Sequence, residues 1–145
     1  MRNPIEPSLM QELVQALSHA ERAVVRRLSP LLEAEGCSVP RWRVLVLLGD
    51  GRGHPMTEIA EFALVPAPSL TRLIDRMVTD GLVHRRADAR DRRRTLVHLT
   101  PRGRALHRRL DARLQREQDA VLAEADPGDA QALLGLLGAL AGPPR

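Results

Sequence analysis

The sequence predicts a mainly α-helical fold in which a helix-turn-helix and a small β-hairpin lie between long helices at the two ends of the chain. Three observations predict it. Apolar residues recur every three or four positions near both ends, the signature of amphipathic helices. Two short helical segments, about 57–62 and 67–80, are joined by a tight Leu64-Val65-Pro66 connection. Two segments of alternating polarity, 82–86 and 95–99, flank an arginine-rich connection. A chain of 145 residues suits one domain, spanning 1–145, with about 8–35 and 101–142 as the end helices and about 38–100 as the lobe between them.

The first helix is read from Leu9, Leu13, Leu17, Ala20, Val24, Leu28 and Leu31, and Gly36 stops it. Ser38 is the expected N-cap of a second helix, with Pro40 in its first turn and Trp42, Val44, Leu45, Leu47 and Leu48 along it toward Asp50. Gly51-Arg52-Gly53-His54-Pro55 reads as a loop. Thr57 is the expected cap of the helix through Phe62, and the following helix ends against Gly81. The two alternating segments form a hairpin with a long charged tip, a wing beside the helix-turn-helix. Thr100 and Pro101 open a long helix through Leu106, Leu110, Leu114 and Val121 toward Glu124, where Asp126-Pro127-Gly128 breaks it. The last helix, about 129–141, is apolar over more than one stripe, through Leu133, Leu134, Leu136, Leu137 and Leu140. Such a surface has to be covered, so the end helices are expected to form a homodimer interface including Leu9, Leu13, Leu133, Leu137 and Leu140.

All 22 basic residues are Arg, giving a formal charge of +4. A chain rich in Ala, Arg, Gly and Pro and devoid of Lys and Tyr also reflects a biased composition, so the location of the arginines says more than their number. The N-terminus lacks the apolar segment of a secretory signal, and the most apolar stretch, 132–142, is shorter than the roughly 20 residues that cross a bilayer, so a cytoplasmic chain without a membrane partner is expected. A lone Cys37 leaves no intrachain disulfide and no multi-cysteine zinc site. His19, His54, His84, His98 and His107 lack the spacings of a helical metal site, and neither a metal nor another cofactor is expected. With no glycine-rich phosphate loop, nucleophile elbow or paired carboxylates in an apolar setting, an enzyme is not expected either.

Chemistry concentrates in two places. The second helix of a helix-turn-helix enters the major groove of double-stranded DNA, and here it offers Ser69, Thr71, Arg72, Asp75 and Arg76 opposite a core stripe of Leu70, Leu73, Ile74 and Met77. The hydroxyls suit bases or phosphates, and Arg72 or Arg76 could bind guanine bidentately. The same residues also fit a plain surface helix, with Arg72 and Arg76 paired to Asp75 or Asp80. The wing, from His84 to Arg94, sets six arginines against two carboxylates. Arginine at a hairpin tip suits a narrow minor groove, steadied by a neighbouring carboxylate, and a solvated charge run is the plainer alternative.

Met56-Thr57-Glu58-Ile59-Ala60, Ser69-Leu70-Thr71-Arg72-Leu73-Ile74-Asp75-Arg76-Met77, Gly81-Leu82-Val83, Asp91-Arg92-Arg93 and Leu99-Thr100-Pro101-Arg102-Gly103 occur in one order and spacing that resembles the MarR family of bacterial regulators. The resemblance covers essentially the whole chain. It implies a triangular, mostly helical dimer of the winged helix-turn-helix type that binds an inverted-repeat operator and usually represses. It places Thr71, Arg72 and Arg76 on the recognition helix, Arg93 at the wing arginine that enters the minor groove, and Asp91 at the acid that steadies it, with Arg90 and Arg92 as neighbours. Pro66 and Pro68 around Ala67 depart from the pattern and put the register at Ser69 in question.

The resemblance also implies a small-molecule effector, often phenolic, held between the dimerisation helices and the DNA-binding lobe. His19, Arg22 and Arg26 on the first helix, with Trp42 and Arg43 on the second, would supply cations and an aromatic wall, although Trp42 suits a core position better than a pocket wall and the polar residues also fit a plain solvated surface. Cys37 invites comparison with the peroxide-sensing branch of the family, but the tyrosine partners of that branch are missing here, so a structural cysteine is the alternative. An architectural binder that holds phosphates without reading bases, and an interaction module that has lost DNA binding, are further alternatives.

Overall fold

The computed structural model describes residues 7–123 and 126–142. Nine elements follow in order: α1 (Leu9–Glu33), α2 (Val39–Leu48), β1 (His54–Pro55), α3 (Met56–Ala63), α4 (Ala67–Thr79), β2 (Val83–Ala87), β3 (Thr95–Leu99), α5 (Pro101–Leu122) and α6 (Pro127–Ala141). The chain divides into two compact units, Met1–Leu110 and Asp111–Arg145, with the division falling inside α5.

Local chemistry sets the helix ends. Ser8 and Gln11 form a reciprocal capping box at the start of α1, satisfying two amides that the helix itself cannot. At the other end Gly36 adopts φ +66, and the Cys37 amide donates to the Leu32 carbonyl at 2.9 Å. Ser38 caps α2 as expected, its hydroxyl accepting from the Arg41 amide. Thr100 caps α5 in the same way, accepting from the Gly103 amide at 3.0 Å. A Cβ on Gly103 would run into the Leu82 carbonyl oxygen, so only glycine lets the first turn of α5 lie this close to the start of β2.

Three boundaries differ from expectation. Thr57 does not cap α3; Pro55, extended at φ −71 and ψ 157, stands at the N-cap position with no side-chain bond. His54 and Pro55, expected in a loop, form β1, which pairs antiparallel with β3 through His54↔Val97 and Pro55↔Leu96. Asp126-Pro127-Gly128 starts a helix as well as breaking one: Asp126 accepts from the Gly128 amide at 2.8 Å and α6 runs from Pro127. The expected end of α5 at Glu124 lies outside the described residues.

The first unit holds the core. Leu32, Val44, Leu45, Leu48, Ile59, Leu70, Ile74, Met77, Val83, Val97 and Leu110 are all almost fully buried, and no charged or polar residue is buried with them among the described residues. The sheet runs β1-β3-β2, with Val83 opposite Leu99 and His84 opposite His98. α1 contributes to this core only near its C-terminal end, through Leu28 and Leu32. Leu9, Met10, Val14, Leu17 and Val24 stay exposed in the single chain, and Leu13 is half-buried. In the second unit α6 has no buried residue: Leu133, Leu134, Leu136 and Leu140 are each more than half exposed, and Leu137 is intermediate.

Candidate nucleic-acid interface

α4 is placed by its apolar stripe. Leu70, Ile74 and Met77 face the core at helical spacing, which leaves Ser69, Thr71, Arg72, Asp75 and Arg76 exposed. Pro66 and Pro68 sit at the helix start, where a missing N–H costs nothing, and the Leu70 amide donates to the Pro66 carbonyl at 2.9 Å. Ser69 therefore lies on the first helical turn. The turn before α4 passes through Leu64 at φ 56, an unusual left-handed conformation for a branched side chain, and the Val65 amide then bonds the Ala60 carbonyl.

The carboxylates near α4 are engaged from outside the helix. Asp75 accepts from Arg85 of β2 at 2.6 Å, and Asp80 pairs with Arg41 of α2 at 2.8 Å. Neither acid pairs with Arg72 or Arg76, which have no ion-pair partner among the described residues. Both arginines line a groove that also touches Ser38, Pro40, Val65 and Ser69. Thr71 donates its hydroxyl to the Ala67 carbonyl at 3.1 Å, and its oxygen keeps its acceptor role.

The wing tip is shaped by its two acids. Asp88 accepts from the Arg90 amide at 2.9 Å and Asp91 accepts from the Arg93 amide at 3.1 Å. Asp91 thus holds Arg93 through the backbone, whereas the expectation was a bond to the guanidinium. Arg90, Arg92, Arg93 and Arg94 all project into solvent. Sequence reasoning missed Arg85: strand alternation turns it toward α4 while Arg86 points to the other face, and only that alternation could have signalled it.

Arg43 of α2 bonds Glu21 of α1 and the Ala63 carbonyl, both at 3.4 Å. Glu21 was not among the expected pocket residues. His19, Arg22 and Arg26 are exposed on α1. Trp42 packs against the core, yet its indole Nε1 is buried with no hydrogen-bond partner. Cys37 is 2% exposed, and burial pushes its thiol up to about 11, against a smaller opposing pull from Arg41. A reactive thiolate requires the reverse. Among the described residues no group of three His, Cys, Asp or Glu side chains is arranged to hold a metal, and no helix is long and apolar enough to cross a membrane.

A helix-turn-helix with an uncommitted arginine pair on its second helix and an arginine-tipped hairpin beside it defines a winged helix-turn-helix protein. Residues 35–94, from just after α1 to the tip of the wing, match the model of the MarR family. The chain is similar to the homoprotocatechuate degradative operon repressor of Escherichia coli, 28% identical over 125 residues that cover 86% of this chain and 84% of the relative. It superposes on the crystal structure of NadR in complex with 4-hydroxyphenylacetate with a TM-score of 0.84 at 25% identity, covering 97% of this chain and 98% of that one. With the transcriptional repressor CouR bound to a 23-mer DNA duplex the TM-score is 0.78 at 26% identity, covering 94% of this chain and 100% of that one. The chain belongs to the MarR family of transcriptional regulators.

Proposed function

We propose that this regulator acts in the cytoplasm as a homodimer that reads an inverted-repeat operator, with α4 in the major groove and the wing in the minor groove, and that it represses transcription. The observation that carries the reading is the pairing of Asp75 with Arg85 and of Asp80 with Arg41. With both acids occupied, Arg72 and Arg76 are left for guanine edges and phosphates, which disfavours a self-neutralised surface helix. Similarity to a repressor bound to a DNA duplex supports the same use of the fold. Leucines of α1 and α6, the exposed Leu9, Leu133 and Leu140 with the half-buried Leu13 and Leu137, offer the apolar surface for a second copy.

A small aromatic carboxylate is the proposed effector. The buried indole N–H of Trp42 has no acceptor among the described residues, and Arg43, next in sequence, holds a 3.4 Å pair with exposed Glu21 that an incoming carboxylate would replace. His19, Arg22 and Arg26 stand on α1 as further cations. The relatives named for homoprotocatechuate and crystallised with 4-hydroxyphenylacetate support this ligand class.

The reading is tested by duplex binding of Arg72→Ala and Arg93→Ala over a range of salt. Arg72→Ala is expected to relax base preference at one position in each half-site, at a cost of about 1–3 kcal/mol. Arg93→Ala is expected to weaken binding and flatten the salt dependence. An Arg72→Ala protein with unchanged preference would remove the base-reading role.

A further inference from the structure

At the base of the wing, on the side away from α4, lies a cavity of about 290 Å³. It opens to solvent on one side and is lined by the end of α2 and the glycines after it, by β2 and β3, and by the first turns of α5. Alternation along β2 separates it from the DNA-facing surface: Arg85 turns toward Asp75 of α4, while His84 and Arg86 turn to the opposite face and line the cavity.

Its polar side chains are His84, Arg86, His98 and Arg104, and no acidic residue lines it. His84 and His98, paired across the strands, stack with ring centroids 5.4 Å apart and planes 11° from parallel. Arg86 has no ion-pair partner among the described residues. Arg104 donates one N–H to the Leu99 carbonyl at 3.0 Å, which fixes its guanidinium at the wall and leaves its other donors. Asp50, at the adjacent end of α2, is engaged by His54 and by the Arg52 amide, each at 2.8 Å. Gly49 and Gly51 add backbone without side chains to fill the space.

Two guanidinium forks around one small space, with no carboxylate among them, repel one another until an anion enters, and the two imidazoles beside them offer ring N–H donors. Planar forks suit oxyanions, and a multiply charged one returns the most favourable interaction. The volume stands at the lower edge of the range of about 300–1,000 Å³ common for small-molecule sites, enough for a phosphate group together with a small carrier.

We propose that this cavity binds a small phosphate dianion, free or as the phosphate group of a small metabolite, at a site distinct from the DNA-reading surface. Because His84 and Arg86 belong to β2, the bound anion ties the wing's outer face to α2 and α5.

The test is titration of the full chain with inorganic phosphate near pH 7.5, where the dianion is the major species, with chloride held at equal ionic strength as control, following the imidazole signals of His84 and His98 by NMR. A saturable shift in phosphate and none in chloride is expected. Arg86→Gln and His98→Asn should each weaken it by about tenfold or more, the loss expected on removing one contact to a charged group. Arg116→Gln, far along α5, should leave it unchanged. Equal responses in phosphate and chloride, or a shift that survives Arg86→Gln, would overturn the proposal. So would an Arg86→Gln protein that binds phosphate normally but has lost duplex affinity, because the cation would then serve DNA.

Discussion

The carboxylate of Asp75 on α4 lies 2.6 Å from the guanidinium of Arg85 on β2, so the helix and the wing strand of the proposed DNA interface are joined by a direct ion pair. Both partners are substantially exposed, and an exposed pair of this kind contributes little to folding. Its value lies in arrangement: it fixes where the wing stands relative to α4 and engages the Arg85 guanidinium.

Asp75→Asn follows from this. Folding stability should change by less than about 1 kcal/mol. Binding to random duplex should tighten, since a negative charge leaves the interface and Arg85 is released to phosphate. The ratio of specific to random binding should narrow. Anisotropy titrations against a selected and a scrambled duplex check this; an unchanged ratio would show that the pair does not position the wing.

The exposed leucines of α6 carry the second prediction. Leu140 is 60% exposed in the single chain, so Leu140→Asp removes almost no contact within it and its helix content should persist. In a dimer the same change buries a charge. Sedimentation should show a monomer at concentrations where the wild type is dimeric, and operator affinity should fall with it. A Leu140→Asp dimer would place the interface elsewhere.

His54 gives the pH dependence. Its Nδ1 lies 2.9 Å from Glu58 and its Nε2 2.8 Å from Asp50. Burial alone would lower its pKa, but hydrogen bonds to Glu58 and Asp50, with their charges, together raise it. Only the protonated ring donates from both nitrogens. With the folded value above the unfolded one near 6.5, the stabilisation is complete below that pH and is lost as pH rises through the folded value. His98 works the other way: burial, then His84, Arg86 and His54, lower its pKa, so stability falls as pH drops through its folded value. Melting temperatures of His54→Gln should therefore approach those of the wild type as pH rises from about 6 to about 8. A constant gap across that range would mean that His54 is not titrating there.

Elements with strong local chemistry were legible in the sequence. The helical spacing of Leu70, Leu73, Ile74 and Met77 identified the face that α4 buries, and Ser38 and Thr100 marked helix starts because a cap is a contact between near neighbours. β1 was not legible, since two residues carry no period and His54-Pro55 is a strand only by virtue of pairing with β3. Thr57 looked like a cap because its residue type fits, but the chain is still extended at Pro55 and the helix is already under way at Thr57. The partners of Asp75 and Asp80 depend on how β2 and α2 pack against α4, which no spacing within α4 encodes. Histidines that look scattered along the chain converge for the same reason, brought together by β1, β2 and β3.

Selection of binding sites from a random duplex pool, at about 0.15 M salt, asks most directly whether α4 and the wing read bases as a symmetric pair. The account predicts enrichment of an inverted repeat whose half-sites lie about one helical turn apart, with loss of the strongest half-site position in Arg72→Ala. Tight binding with no enriched sequence would contradict it, and would leave the arginines as phosphate contacts alone.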